Sequence, residues 1–179
     1  WMLYAYGISA IAFYWSARKY REDIDDRVVG ILEAGALIFA VLLVSLEIRH
    51  FVNDGPIDVR GYSLFEQSLQ SLAWLAGAYG LYKQNANRAG IVQTWGFSLL
   101  GGLATVQIIV LQILLFNPLK TGVSVWETPV LNLLFFAYGL PALFALLFFF
   151  EARKQKDLIV EKLSGAATLI LIFITITLE

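Results

Sequence analysis

Six stretches of the chain are almost continuously apolar, and short polar segments separate them. They run over about Trp1–Ala17, Val28–Phe51, Leu64–Tyr82, Ile91–Phe116, Pro129–Phe150 and Leu158–Leu178. Each is near the length of about 20 residues that a helix needs to cross a hydrocarbon core of roughly 30 Å. Strands of a membrane barrel would be shorter and would alternate in polarity, and these runs do not. The pattern predicts an all-α fold: a polytopic transmembrane helical bundle of about six spans. The separating segments, RKYREDIDDR, Asn53-Asp54-Gly55-Pro56 through Gly61, KQNANR, NPLKTG and EARKQKD, carry turn formers and charges that belong in water.

Composition strengthens this picture. Of 179 residues, 59% are apolar and 15% charged, against roughly 45–50% and 25% in a soluble domain. A net charge of −1 gives no field for a polyanion, so nucleic acid is not an expected partner. The absence of cysteine removes disulfides, thiolate metal sites and thiol catalysis. The first partner implied is the lipid bilayer.

Charge placement sets an expected orientation. Arg18, Lys19, Arg21, Arg27, Lys83, Arg88, Arg153, Lys154, Lys156 and Lys162 lie in or beside the first, third and fifth connectors. The second and fourth hold only Arg49, Arg60 and Lys120. Cationic connectors stay in the cytoplasm, so connectors 18–27, 83–90 and 151–157 are expected there and both chain ends on the opposite face of a bacterial inner membrane. Trp15, Tyr20, Tyr79, Tyr82 and Trp95 would flank the cytoplasmic boundary, and Trp1, Tyr4, Tyr62 and Trp126 the other.

The chain also resembles itself. Ala5-Tyr6-Gly7-Ile8-Ser9-Ala10 recurs as Ala137-Tyr138-Gly139-Leu140-Pro141-Ala142, an offset of 132. After a slip of three, Ala17-Arg18-Lys19 recurs as Ala152-Arg153-Lys154, and Ser45-Leu46-Glu47 returns at 132 as Thr177-Leu178-Glu179. An offset of four helices leaves both copies facing the same way, in agreement with the basic connectors. The expected organisation is a four-helix membrane unit over 1–128 and the first two helices of a similar unit over 129–179, in a parallel repeat array. With apolar segments at both ends, the sequence reads as a piece of a longer chain. Further helices of that chain, or partner membrane subunits, would then surround it.

Within lipid, helices associate through small and polar residues. The third helix offers Ala73 with Gly77 and Ala76 with Gly80. On the fourth, Thr94, Ser98, Gly101, Thr105, Ile108 and Gln112 follow steps of three or four, as a helix seam or the wall of a hydrated groove, with Gln107 on another face beside Gln93 and Ala104. The second helix aligns Glu33, Ala36, Ala40, Leu43 and Glu47, which puts the two carboxylates roughly 21 Å apart near opposite boundaries. Arg27 or Lys83 would neutralise Glu33.

Ionisable groups at membrane depth are costly and mark sites, and one concentration stands out. Glu47, Arg49, His50, Asp54, Asp58, Arg60, Glu66, Gln67 and Gln70 gather at the outer ends of the second and third helices, where Gln112, Trp126 and Glu127 can join them. Candidate binding residues are therefore Glu47, Arg49, His50, Glu66, Gln67, Gln70, Gln112, Trp126 and Glu127, with Glu47, His50 and Glu66 as acid–base candidates. Glu47-x-x-His50 is half of a di-iron helix motif, but His50 is the only histidine. A single imidazole also falls short of a catalytic zinc site, and no loop has calcium-ligand spacing. No cofactor or metal is expected.

Leu46-Glu47-Ile48-Arg49-His50, then Glu66-Gln67-Ser68 and Ser71-Leu72-Ala73-Trp74, with the Ala-Tyr-Gly-Leu-Pro-Ala stretch from Ala137, resemble the bacterial predicted membrane proteins grouped as domain of unknown function 2339. The resemblance implies a long inner-membrane protein of many helices and brings no catalytic residues to carry over. Three functions fit the sequence: transport or export-linked handling of an envelope molecule, suggested first by the repeat, the stripe and the outer cluster; an enzyme acting on a lipid-linked substrate at the outer face; or a non-catalytic scaffold subunit. A cluster that matters predicts that Glu47→Gln disturbs the protein far more than Glu22→Gln.

Overall fold

Where no water can bond the peptide groups, long Leu/Ile/Val/Phe runs close into helices. The computed structural model describes residues 1–21, 25–53, 63–87, 90–122 and 132–178, and among these there is helix and no strand. A π-helical stretch, Leu3–Gly7, leads into α1 (Ile8–Lys19). α2 (Asp26–Val52) and α3 (Leu64–Asn87) follow. α4 (Ile91–Val106) continues as a π-helix over Gln107–Leu115, and α5 (Pro118–Thr121) is a single short turn. A third π-helical stretch, Phe135–Gly139, leads into α6 (Leu140–Gln155), and α7 (Leu158–Leu178) completes the order. The long helices coincide with the six apolar runs. Four, Asp26–Val52, Ile91–Leu115, Phe135–Gln155 and Leu158–Leu178, are long and apolar enough to span a membrane by themselves. α1 is shorter, and α3 spends its inward face on polar side chains.

Local signals fix the ends. Asp25 caps α2 by accepting from the Arg27 N–H. Ser63 caps α3 by accepting from the Glu66 N–H. Asn132 accepts from the Phe135 N–H at 3.0 Å; Pro129, the expected start of the fifth span, lies outside the described residues. α6 ends with Lys156 in the left-handed region, φ 59°, and the Asp157 N–H bonds back to the Ala152 carbonyl, closing a Schellman-type turn. Asp157 then caps α7 through the Val160 N–H.

Packing is closest within three sequential hairpins, α1–α2, α3–α4 and α6–α7. The α3–α4 hairpin is central, with α2 against both its helices and α6 against α3, while α1 and α7 lie outermost, on α2 and α6. Glycine allows the close approaches. A Cβ on Gly77 would stand 3.2 Å from Leu100, and one on Gly96 would meet Leu37 and Leu81 at 2.9 Å each. At the end of the bundle that carries the α6–α7 turn, Tyr82 is 2% exposed, packed among Phe97 and Phe148, with its hydroxyl on Asp157 at 3.2 Å. Tyr82 is thus a buried tie between α3 and the α6–α7 turn. Trp15 and Trp95 are exposed.

The distribution of polarity is that of a lipid-facing bundle. Glu66, Gln67, Ser68, Ser71, Gln107 and Gln112 are buried, while Ile31, Ile38, Leu99, Ile159, Leu169 and Phe173 are exposed. Water would reverse that arrangement; lipid permits it, because polar groups there must bond internally.

Candidate functional site

The predicted outer cluster divides into an ion pair and a buried amide network. Arg49, on the last turns of α2, donates from Nη1 to Glu66 Oε1 at 2.8 Å, with the two side chains only 17% and 7% exposed. In a capping box the glutamate three residues after a serine cap turns back to the cap's N–H. Glu66, three after Ser63, instead gives its carboxylate to Arg49. Gln70, one turn further into the membrane, donates to the Ser45 hydroxyl at 2.6 Å, a second bridge between α2 and α3. Glu66 and Gln70 do reach α2, as their spacing predicted, but their partners are Arg49 and Ser45 rather than Glu47 and His50. Glu47 is half-buried and His50 exposed; no described residue pairs with Glu47. Trp126 and Glu127 lie outside the described residues, as do Asp54, Asp58 and Arg60.

Inside the α3–α4 interface, Gln67 is the hub. Gln107 donates from Nε2 to the Gln67 side-chain oxygen at 2.7 Å and to its main-chain carbonyl at 3.2 Å. Gln112 donates to the same carbonyl at 3.1 Å and to Ser71 Oγ at 2.8 Å. Ser71 and Ser68 pass their hydroxyl protons to the Ser68 and Leu64 carbonyls. From the π-helical stretch before α6, the fully buried Tyr138 donates to the Gln112 main-chain carbonyl at 2.7 Å. Among the described residues the buried amide oxygens of Gln107 and Gln112 have no hydrogen-bond partner.

Gln107 does not lie on a separate face. Residues five apart are about 140° apart on an α-helix of 3.6 residues per turn. Over Gln107–Leu115 the helix widens, with the Phe116 N–H reaching back five residues to Leu111. The wider turn brings positions 107 and 112 to the same side, where both meet Gln67; π-helical turns commonly occur at functional positions. The rest of the expected stripe is also redistributed. Ile108 and Gln112 are buried, but Thr94, Ser98 and Thr105 are exposed. Ser98 and Thr105 satisfy their hydroxyls on their own helix, at the Thr94 and Gly101 carbonyls. The buried face of α4 is Val92, Gly96, Leu100 and Ala104.

At the opposite end, Glu33 pairs with Arg21, not with Arg27 or Lys83, and also accepts from Gln93 at 3.3 Å. Ser45, Ser68, Ser71, Tyr138 and Arg21 were not singled out as site residues from sequence. The QSLQS run from Gln67 to Ser71 is the one signal for the serines, since it puts amides and hydroxyls on adjoining turns. Among the described residues no three His, Cys, Asp or Glu side chains converge to hold a metal. The two concavities found, one beside Tyr79 and Arg153 and one beside Tyr14 and Arg21, lie away from the glutamine network.

The family model described as predicted membrane protein, domain of unknown function 2339, matches residues 1–179. The chain belongs to that family. No curated protein and no solved structure matches it. Membership of the domain of unknown function 2339 family agrees with the lipid-facing distribution of side chains: this is an integral membrane protein. The half that holds Arg49 and Glu66 is stitched by their ion pair and by glutamine and serine hydrogen bonds linking α2, α3, the continuation of α4 and the stretch that leads into α6.

Proposed function

We propose that this chain is a non-catalytic membrane scaffold, a helix-packing module on which further transmembrane helices dock. The observation that carries it is the closure of the polar groups upon one another. Gln112, Ser68 and Ser71 are fully buried, while the small-residue face of α4 at Thr94, Ser98, Gly102 and Thr105 is left open. A helix backbone can approach such a face closely. The partners are further helices of a longer chain or other membrane subunits.

Transport of an envelope molecule is the second reading, favoured by the unpartnered oxygens of Gln107 and Gln112, which would suit a passing donor group. The absence of native cysteine lets one experiment separate the two. In native membranes, Ser98→Cys should crosslink to a neighbouring helix while Gln112→Cys stays inert to a small aqueous thiol reagent. Reaction at Gln112→Cys without a crosslink from Ser98→Cys would overturn the scaffold in favour of a hydrated path. An acid–base enzyme at the outer face has less support, since Glu66 is engaged by Arg49.

The same proposal includes the bacterial inner membrane, cytoplasmic connectors 18–27, 83–90 and 151–157, and a four-helix repeat. The repeat is supported by two of the three π-helical stretches described, Leu3–Gly7 and Phe135–Gly139, which stand at the sequence offset of 132. The Ser9 hydroxyl donates to the Ala5 carbonyl at 2.6 Å. At the matching position Pro141 has no N–H to offer the Ala137 carbonyl.

A further inference from the structure

The two concavities share a setting that the glutamine network does not explain: each lies where an Ala-Arg-Lys triplet ends the first helix of an outer hairpin. The larger, about 700 Å³, is lined by Tyr79 of α3 and by Leu147, Phe150, Glu151, Arg153 and Lys154 of α6. Leu147, Phe150, Glu151 and Lys154 follow steps of three, one and three along one helical face. The lining passes from apolar to cationic over about 10 Å of helix. Leu147 and Phe150 are half exposed, and the Tyr79 ring is held edge-on by Phe148 at 5.4 Å. Arg153 is exposed, and no described group pairs with it. Lys154 reaches Glu151 at 3.4 Å but keeps 73% of its side chain exposed.

The smaller concavity, about 250 Å³, is lined by Tyr14, Ala17, Arg18, Arg21 and Glu33. Arg21 gives one nitrogen to Glu33, while its Nε and Nη1 are buried without an acceptor. Glu22 and Asp23, which follow it, lie outside the described residues. Both hollows thus set an aromatic side chain one turn before the arginine of the triplet, and one of them contains guanidinium donors with no acceptor among the described residues.

We propose that these hollows, the α6 groove first, seat anionic glycerophospholipids. The phosphate lies on Arg153 and Lys154 and an acyl chain on Leu147 and Phe150; Arg18 and Arg21 hold the equivalent phosphate beside α1. Charge and greasy surface meet in the order that a lipid presents them, and basic pockets between membrane helices recognise such headgroups. Glu151 opposes the phosphate and limits the affinity.

The test uses the full chain in detergent, titrated with phosphatidylglycerol or with phosphatidylcholine of identical acyl chains, and native mass spectrometry of retained lipid. Phosphatidylglycerol should be retained preferentially. R153Q/K154Q should weaken it about fivefold per cation removed, with helical circular dichroism unchanged. E151Q should tighten it, which keeps the proposal falsifiable even if the double variant does not fold. Equal retention of the two lipids, or indifference to E151Q, would overturn the proposal. So would full displacement by free glycerol phosphate, which would indicate a phosphate site rather than a lipid seat.

Discussion

A buried carboxylate next to a guanidinium is tolerated because each neutralises the other, and removing the arginine leaves the Glu66 carboxylate stranded. Arg49→Met alone should therefore destabilise the protein by about 3–5 kcal/mol, while the double replacement with Glu66→Leu recovers most of the loss. Unfolding in mixed micelles measures this, and additive losses would show that the pair is not coupled. The sensitivity expected of Glu47 moves to Glu66: Glu47→Gln should stay within about 0.5 kcal/mol of the parent, because no described residue depends on that carboxylate. The amide network is worth less per bond, since polar groups in membrane helices find other partners on unfolding. Gln112→Leu should cost on the order of 1–2 kcal/mol. Tyr138→Phe, which strands the Gln112 carbonyl, should cost about 1 kcal/mol. Both can be read from the same transition.

Among the helices, the widened turn at the end of α4 has the largest consequence. It alone brings Gln107 and Gln112 to one acceptor, so a change that restores α-helical register should separate them. Deleting Ile109, one residue within the π-helical stretch, should cost about as much as losing two buried hydrogen bonds, on the order of 2 kcal/mol. Deleting Leu169 in α7 instead should turn the buried Leu171 away from the core while leaving both glutamine bonds in place, and unfolding curves of the two deletions compare them. The turn between α6 and α7 offers a second test. Asp157 both caps α7 and accepts from Tyr82, so Asp157→Ala should cost about 1–2 kcal/mol and Asp157→Asn less. Hydrogen exchange at the first turn of α7 would register the lost cap.

Across the whole molecule the arrangement is a central α3–α4 hairpin carrying a hairpin on each side, with apolar residues outward and polar ones inward. Such a molecule should be monodisperse only with detergent or lipid around it. If cationic connectors are cytoplasmic, a cysteine at Lys154 should be labelled from the cell interior only, and one at Lys120 from the exterior only. Labelling in the opposite sense would reverse the proposed orientation without disturbing the fold.

The six helices were legible along the chain because lipid makes length and apolar continuity sufficient: every backbone group must bond within its own segment. The meeting of the outer ends of α2 and α3 was legible too, since a short connector forces antiparallel neighbours. Which side chains pair was not. Arg49 rather than His50 takes Glu66, Arg21 rather than Lys83 takes Glu33, and Gln107 joins Gln112, because these choices depend on the phase of each helix about its axis. One wider turn changes that phase by about one residue step, and periodicity counted at 3.6 residues per turn passes over it. Sequence determined where the chain is helical and that it lies in lipid. Tertiary packing decided which polar groups close on one another and which small-residue face is left for a partner.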